Sequence, residues 1–463
     1  MSSVLPESGL GLTEALALAD RGLSLESLGL ADALYIHVPF CAKRCYYCDF
    51  YSQLPASGDL RQYEEALLNH LLALLAWLEQ EGREPSWGFD TVYFGGGTPS
   101  LLSAKFYQRF FKILAQAKAL KAEAEITVEA NPTSLSAKLA SALYSAGVNR
   151  LSLGLQTSSQ AALKILGRIH DFEGFLRALK AARAAGFKRI STDLIYALPG
   201  QTMADFRLDL ERLFALELEH FSAYSLILAE DTPFYRCYVE GDNYLKLPEL
   251  PTEDLEREFY YELKKAAAEH GYKHYEIASW AQPGAESRHN NKYWKLLPYF
   301  ALGPAASGFY RGCRYRFPED LKAYLESWTE PKSGLDYWHG ASLDECLTAE
   351  TEAKDYLFLA FRRMCGVSEA EYRLRFGRDL EKDFGPELKS LKARALIYDY
   401  EVERRSESLV QAQASSSESL APVESEQKKL LLEPNPKPLK KDRRWALSSL
   451  GEDFANEVFR EFI

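Results

Sequence analysis

The stretch YIHVPFCAKRCYYCDFYS, residues 35–52, joins the element that starts the fold to three closely spaced cysteines. Its first part belongs to an apolar run, LYIHVPF (34–40), which predicts a buried β-strand. Five later runs of the same kind predict further strands, and segments with a helical spacing of apolar residues lie between them. These strands are predicted at 89–94, 125–130, 150–155, 189–198 and 220–228, and helices at 63–80, 104–120, 136–147 and 172–186. Strand–helix repeats of this kind are typical of a parallel sheet covered by helices.

Residues able to carry chemistry follow the predicted strands, where the chain leaves each strand. Because chemistry gathers at these carboxyl ends in (β/α) barrels, the pattern predicts an α/β fold with a partial (β/α)6 barrel of the TIM type. An open doubly wound sheet would place its loops at the same edge and stays an alternative. The residues concerned are Cys41, the run Gly95-Gly96-Gly97-Thr98-Pro99, Glu129, Asn131, Gln156 and Asp193.

The strand–helix repeat ends near residue 280, where the composition changes. We therefore predict an N-terminal extension over 1–33, the barrel over 34–280 and a smaller C-terminal α/β domain over 281–463, with a winged-helix-like arrangement as one option. Residues 404–443 are rich in Ser, Glu, Gln, Lys and Pro and too polar for a core, which predicts a disordered insertion in the last domain.

The composition of the 463 residues, 47% apolar and 26% charged, is that of an ordinary globular protein. A formal net charge of −11 offers no general basic surface for a phosphate backbone, so nucleic acid is not expected as the main partner. The N-terminal segment lacks the basic start and apolar run of a signal peptide, and no window offers the ~18 apolar residues of a membrane span. These features predict a cytoplasmic protein.

Seven cysteines are present, and three of them fall within eight residues. The other four, Cys237, Cys313, Cys346 and Cys365, are widely scattered, unlike the framework of a secreted disulfide-rich protein. We expect these four to be small core residues in a reducing compartment.

The spacing Cys41-x3-Cys45-x2-Cys48 puts three thiolates on one tight loop, where they can bind three corners of a 4Fe-4S cubane. The fourth iron would then lack a protein ligand. A structural zinc site of the Cys3His type with His37 is one alternative, although zinc loops usually present CxxC pairs with a longer spacer. Three buried free cysteines are the other alternative.

The residues that follow the next strands have both a ligand-binding and a structural interpretation. Glycines without a Cβ let the backbone approach a ligand, although a glycine run after a strand is often only a tight turn. Glu129, Gln156 and Asp193 are either satisfied polar groups at strand ends or a polar cradle for a ligand. Arg168 is either a bidentate partner for a carboxylate or a helix-surface arginine.

At these residues the chain resembles the radical-SAM proteins similar to oxygen-independent coproporphyrinogen III dehydrogenase, and within them the haem-chaperone branch, HemW. The resemblance spans residues 35–294 and is weaker beyond them. Besides 35–52, its pieces are YFGGGTPS (93–100), VEANP (128–132), LSLGLQT (151–157), LGRIH (166–170), DLIYALPGQT (193–202) and HNNKYW (289–294).

The resemblance implies that Cys41, Cys45 and Cys48 bind a 4Fe-4S cluster whose open corner takes S-adenosylmethionine (SAM). In this family the reduced cluster cleaves SAM to a 5'-deoxyadenosyl radical, which is chemistry of the cofactor. The residues implied to line SAM sites are Tyr35, Tyr47, Gly96, Gly97, Thr98, Glu129, Gln156, Arg168 and Asp193.

Two features favour the HemW branch. The dehydrogenase has a fourth cysteine two residues after the third, where this chain has Phe50. The HNNKYW stretch matches a motif of the HemW branch and makes His289 a candidate axial ligand for haem, because imidazole is a common haem ligand. A helix cap or a packed ring is the structural alternative for His289. The chain departs from the branch at Ser307, where a histidine is usual.

The resemblance thus implies a haem chaperone that receives haem and passes it to haem-requiring enzymes. The alternatives are coproporphyrinogen III dehydrogenase, which decarboxylates propionates to vinyl groups, and a radical enzyme acting on another substrate. Whether the chain is an enzyme stays open. The expected partners are haem or a porphyrin, haem-acceptor proteins and an electron donor for the cluster; transient membrane contact and a dimer are open options.

Overall fold

The computed structural model describes residues 31–330, 337–403 and 441–462. Within the chain, two compact units are separated between Leu359 and Ala360. The predicted boundary at residue 280 lies inside the first unit and stays a prediction. The predicted N-terminal extension lies outside the described residues except for its last three positions, and so does the predicted insertion, whose last three positions belong to a strand.

The first unit is built on a nine-stranded sheet in which the six predicted strands are parallel neighbours in chain order. Strand β8 runs antiparallel to β6, and β9 runs parallel to β1. The order is β7-β8-β6-β5-β4-β3-β2-β1-β9, so β7 and β9 are edges and the barrel is partial, as predicted. The strands are β1 (Ala33–Val38), β2 (Phe89–Gly96), β3 (Leu120–Ala130), β4 (Arg150–Gln156), β5 (Arg189–Tyr196), β6 (His220–Ser225), β7 (Lys273–Glu276), β8 (Ser279–Ala281) and β9 (Phe300–Leu302).

Helices follow the parallel strands, and polar side chains cap the first turn of several of them. Ser103, Ser136, Asp171 and Thr202 each accept a hydrogen bond from a backbone N–H of the first turn, which satisfies a donor that the helix leaves free. The helices of this unit are α1 (Asp59–Gln80), α2 (Ala104–Gln116), α3 (Ala137–Ser145), α4 (Gln160–Ile165), α5 (Phe172–Ala185), α6 (Met203–Phe214), α7 (Pro233–Tyr238), α8 (Glu253–Glu269), α9 (Arg288–Trp294), α10 (Leu321–Ser327) and α11 (Ala349–Ala360), the last of which runs into the second unit.

The core lies between the outer face of the sheet and the helices. Phe94 of β2, for example, packs edge-on against Phe106, Tyr107 and Phe110 of α2, and all four side chains are fully or almost fully buried. Burying an aromatic side chain of this size stabilises the fold by roughly 1.5–3 kcal/mol. This packing leaves the inner face of the sheet free to carry polar residues.

A small antiparallel sheet in the first unit corrects one prediction. It consists of β10 (Ser307–Tyr310), β11 (Cys313–Arg316) and β12 (Ser342–Cys346). Cys313 and Cys346 are directly paired across β11 and β12 and form a disulfide. The prediction that all four scattered cysteines are unbonded core residues is therefore wrong for these two, because strand pairing brings together residues 33 positions apart. Cys237 is buried as expected.

The second unit is a small α/β domain with a three-stranded antiparallel sheet of order β13-β15-β14. Two helices lie between its first two strands along the chain, an arrangement that matches the winged-helix-like option. Its elements are β13 (Val367–Ser368), α12 (Glu369–Phe376), α13 (Leu380–Ala393), β14 (Ile397–Glu403), β15 (Lys441–Leu447), α14 (Ser449–Asp453) and α15 (Ala455–Arg460). Of the helices described in either unit, none has both the length and the apolar character to cross a membrane.

Candidate functional site

A cavity of about 540 Å³ opens at the carboxyl ends of β1 to β6. Among the predicted site residues, all except Tyr35 and His289 line it. They are Cys41, Cys45, Cys48, Tyr47, Gly96, Gly97, Thr98, Glu129, Gln156, Arg168 and Asp193. The fold therefore brings together residues that are up to 152 positions apart in the sequence.

The three cysteines sit on one loop that is closed at its base and hydrogen bonded at its sulfur atoms. The backbone N–H of Cys41 donates to the carbonyl of Gln53 over 3.0 Å. Thr98 Oγ1 donates to Cys41 Sγ over 3.4 Å, and Arg168 Nη1 donates to Cys45 Sγ over 3.5 Å. Hydrogen bonds to cysteine sulfur stabilise negative charge there and tune bound iron–sulfur clusters.

A bound metal would be needed to hold the Cys48 thiol deprotonated at neutral pH. Burial, and then the neighbouring cysteines, raise the pKa of the Cys48 thiol to about 11. A coordinated metal supplies the positive charge that holds such thiols deprotonated. A donor set of three thiols on one cavity-lining loop, with donors to two of the sulfurs, fits a 4Fe-4S cluster.

The zinc alternative with His37 does not fit the geometry. His37 Nδ1 is hydrogen bonded to the Tyr35 hydroxyl at 3.0 Å, and Nε2 donates to the carbonyl of Tyr51 over 2.9 Å. Among the residues that the structure describes, no three or more His, Cys, Asp or Glu side chains are arranged so that they could hold one metal ion together. A cubane places its cysteine ligands on separate corners, so its cysteines need not converge on one point.

Close packing explains the glycines of the run after β2, in addition to any ligand that they contact. Gly96 has φ +98°, and a Cβ there would lie 2.7 Å from the His37 ring. A Cβ on Gly97 would lie 2.5 Å from the carbonyl oxygen of Phe40, immediately before the first cysteine. The glycines thus let the loop after β2 pack directly against the cysteine loop.

Two partly buried carboxylates, Glu129 and Asp193, face the cavity. The Tyr93 hydroxyl donates to Glu129 over 2.7 Å, but burial, with a smaller contribution from Asp193, raises the pKa of Glu129 to about 7. Burial also raises the pKa of Asp193, against the opposing charges of Arg150 and Arg168. A positively charged ligand would favour the ionised form of both carboxylates.

Arg168 and Gln156 line the same cavity. Arg168 lies in the loop after α4, where its guanidinium also approaches the Gly154 carbonyl at 3.5 Å, so it is not a helix-surface residue. Gln156 is buried with φ +68°, a conformation that side-chain-bearing residues adopt rarely and often at functional sites.

The sequence interpretation missed polar residues that lie deeper in the cavity. Arg150 is only 3% exposed, and its positive charge acts to lower the pKa of both Glu129 and Asp193. Ser152, Ser191 and Ser222 line the same space. The sequence signal for these residues was the alternation of side chains along a strand. Arg150, Ser152 and Gly154 are two positions apart and therefore lie on the same face of β4, which lines the cavity.

His289 lies outside the cavity, in a fully hydrogen-bonded environment. Its ring nitrogens bond to the Thr91 hydroxyl at 2.8 Å and the Tyr293 hydroxyl at 2.7 Å, and its backbone N–H donates to Glu125 over 3.1 Å. Its ring stacks on Tyr93 with centroids 5.1 Å apart. Burial lowers the pKa of His289 to about 3, which keeps the ring neutral. Neither nitrogen is free to coordinate iron in this arrangement.

We expect His289→Ala to destabilise the first unit by about 3 kcal/mol, because the buried Thr91 hydroxyl and the partly buried Tyr293 hydroxyl lose their partner and a cavity remains. Urea unfolding followed by circular dichroism measures this. The exposed His339 gives a matched control, and we expect His339→Ala to stay within about 0.5 kcal/mol of the unaltered chain. Equal stability of the two variants would contradict the structural role.

The partial barrel, the cysteine loop and the cavity behind it are the features of a radical-SAM protein. The model of the Radical SAM superfamily matches residues 35–213. The haem chaperone HemW of Lactococcus lactis is 35% identical over 369 residues, covering 80% of this chain and 91% of the relative. HemW of Bacillus subtilis is 33% identical over 368 residues, covering 79% and 93%. The chain belongs to the HemW family.

A solved structure supports the fold independently. Coproporphyrinogen III oxidase (HemN) from Escherichia coli, a radical SAM enzyme, superposes with a TM-score of 0.69. The match covers 98% of this chain and 93% of that chain at 19% identity. At this identity the likeness shows the shared fold.

Proposed function

We propose that this protein is a haem chaperone, which binds haem and passes it to haem-requiring enzymes. The observation that carries the proposal is the 35% identity to a haem chaperone over 91% of that protein's length. Phe50, which stands where the dehydrogenase has a fourth cysteine, supports the chaperone over coproporphyrinogen III dehydrogenase as the function of this chain. Cytoplasmic location, haem-acceptor proteins and an electron donor stay predictions.

In this proposal, Cys41, Cys45 and Cys48 hold a 4Fe-4S cluster and the cavity holds SAM. When bound and reduced, the cluster supplies the electron for cleavage of SAM. The protein's own groups bind and orient SAM: the carboxylates of Glu129 and Asp193 attract its positive charge, and Arg168 is the candidate partner for its carboxylate. The remaining candidates are Tyr35, Tyr47, Gly96, Gly97, Thr98 and Gln156.

Haem ligation by His289 also stays a prediction, and it would cost hydrogen bonds that the ring now forms. Coordination would require at least one of its two ring hydrogen bonds to break and the buried ring to reach haem. Arg288 and Lys292, on the same helix, form ion pairs with Asp90, which oppose a movement of α9.

A haem titration run beside an enzyme assay tests the proposal. Anaerobically reconstituted protein should bind haem saturably, with a change in the haem absorption bands. The same sample, given a reductant, SAM and coproporphyrinogen III, should form no protoporphyrinogen IX.

The oxidase from Escherichia coli serves as the positive control for the assay. Protoporphyrinogen IX formed at a rate like that of the control would contradict the chaperone assignment and favour the dehydrogenase. Absence of saturable haem binding would also contradict the chaperone assignment.

A further inference from the structure

Strand β4 ends in an irregular conformation at the residue that lines the cavity. Gln156 is the last residue of the strand and has a φ of +68°. The register of β4 against β5 shifts between Gly154 and Gln156, and such irregularities are frequent next to binding sites. A side-chain-bearing residue keeps a positive φ only where the surrounding structure fixes it. The neighbours of Gln156 must therefore hold this conformation in place.

A buried carboxylate of α6, Asp209, holds the two residues that follow Gln156. Asp209 is 2% exposed. It accepts hydrogen bonds from the Thr157 hydroxyl over 2.8 Å and from the backbone N–H of Ser158 over 2.7 Å. The Ser158 hydroxyl donates to it as well. Three donors from two consecutive residues thus meet one carboxylate, which does not itself line the cavity.

Further hydrogen bonds fix the chain on both sides of Gln156. Arg212, one turn after Asp209 on α6, donates from Nη1 to the carbonyl and to the hydroxyl of Ser158, each over 3.1 Å. On the other side, Nε2 of the buried His170 donates to the carbonyl of Leu155 over 3.2 Å. Gln156 therefore lies between anchored residues, and its backbone has little freedom to relax.

Asp209 also reaches the loop after β5. Gln201 Nε2 donates to Asp209 over 3.4 Å, and Gln201 Oε1 accepts a hydrogen bond from the N–H of Leu198 over 3.1 Å. Burial raises the pKa of Asp209, and the hydrogen bonds from Ser158 and Thr157 oppose that shift. A buried carboxylate is costly unless several donors satisfy it, and this one joins the loops after two neighbouring strands to α6.

We propose that Asp209 is a positioning residue for the SAM site, which holds Gln156 in the conformation that enters the cavity. The inference rests on the proposed function, in which Gln156 is one of the groups that bind SAM. Asp209 acts through Thr157 and Ser158 and contacts no ligand itself.

A purely stabilising role for Asp209 makes a different prediction. If its hydrogen bonds served only the packing of α6 on the sheet, removing them would lower the thermal stability and leave the affinity for SAM unchanged. In the positioning role, the affinity falls, and it falls only while Gln156 is present.

Substitution of Asp209 in the reconstituted full-length protein tests the positioning role. Asp209→Ala should raise the Kd for SAM about tenfold, with iron and sulfide content unchanged. Asp209→Asn keeps the size of the side chain and one acceptor oxygen, and should raise the Kd about fourfold. This isosteric variant also carries the test if Asp209→Ala does not fold.

Leu213→Ala is the matched control on the same helix. Leu213 is an apolar core residue, 1% exposed, and lies outside the cavity lining. Its truncation should lower the Tm at least as much as Asp209→Asn does, because it leaves a cavity in the core. The Kd for SAM should stay unchanged below the unfolding transition.

A double-mutant cycle with Gln156→Ala separates positioning from stability. Gln156→Ala alone should raise the Kd about tenfold, and the double variant Gln156→Ala/Asp209→Ala should raise it by about the same factor. The effect of Asp209 should disappear because the residue that it positions is absent. Independent effects would instead multiply to about a hundredfold and would overturn the inference.

Hydrogen exchange provides a readout that needs no SAM. Without ligand, the Ser158 amide should exchange about tenfold faster in Asp209→Ala than in the unaltered protein, because the amide loses its acceptor. Leu213→Ala should leave this amide protected. Unchanged exchange at Ser158 in Asp209→Ala would show that the carboxylate does not hold the loop.

The outcomes distinguish the inference from the proposed function. If the unaltered protein does not bind SAM, the SAM site of the proposed function fails, whatever the exchange data show. If the unaltered protein binds SAM and neither Asp209 variant changes the Kd, the positioning role is wrong and the proposed function stands.

Discussion

Cys45→Ser should abolish the iron–sulfur cluster. Only three thiols on the loop are available as protein ligands, and a serine hydroxyl is a far harder and less acidic ligand than a thiolate. Arg168 would in addition lose the sulfur to which it donates, so a cation would be left at the cavity without that partner. We expect iron and sulfide content after anaerobic reconstitution to fall to background, and SAM cleavage to fall with it.

Cys365→Ser is the matched control for this substitution. Cys365 is a free cysteine of the second unit, outside the cysteine loop, and its replacement should leave iron, sulfide and SAM cleavage unchanged. Chemical iron and sulfide analysis with electron paramagnetic resonance of the reduced protein gives the readout. Full iron and sulfide in Cys45→Ser would overturn the cluster assignment.

Glu129→Gln should weaken SAM binding about ten- to a hundredfold, which corresponds to the roughly 1.5–3 kcal/mol of a hydrogen bond to a charged group. The amide keeps the size of the side chain and can still accept a hydrogen bond from Tyr93, but it removes the negative charge that faces the cavity. The effect should appear in the Kd for SAM, with cluster content unchanged.

The pH dependence of SAM binding follows from the raised pKa of Glu129. With a pKa of about 7, the carboxyl is protonated below that pH and ionised above it. A cationic ligand prefers the ionised form, so the affinity of the unaltered protein should fall as the pH drops below 7, approaching tenfold per pH unit. Glu129→Gln should lose this dependence.

Equilibrium dialysis of labelled SAM between pH 5.5 and 8.5 measures both effects. Glu123→Gln is the control, because Glu123 is an exposed residue of the same strand and should change neither the affinity nor its pH profile. A pH profile of Glu129→Gln identical to that of the unaltered chain would show that another group is responsible.

Local patterns in the sequence determined most of the fold. The six parallel strands appear at the predicted positions because apolar β-branched and aromatic runs, bounded by turns, specify buried strands with little help from distant residues. The cysteine loop could be predicted equally well, since Cys41, Cys45 and Cys48 lie within eight residues and need no long-range folding to be neighbours.

Tertiary structure alone decided the contacts between distant segments. It paired Cys313 with Cys346. It gave Arg168 a cysteine sulfur as hydrogen-bond partner and directed Arg150 into the cavity. It also enclosed His289 between Thr91 and Tyr293. Each depends on strand register and on which face of an element points inward.

Sequence by itself therefore determined the family, the parallel strands and the cysteine loop, because these depend on residues close together in the chain. Tertiary structure decided which polar groups meet in the cavity, that His289 is enclosed, and that Phe50, Ile169 and Ile227 stand exposed at one opening. The physical reason is that burial and partner choice are set by packing between distant segments, which local periodicity does not specify.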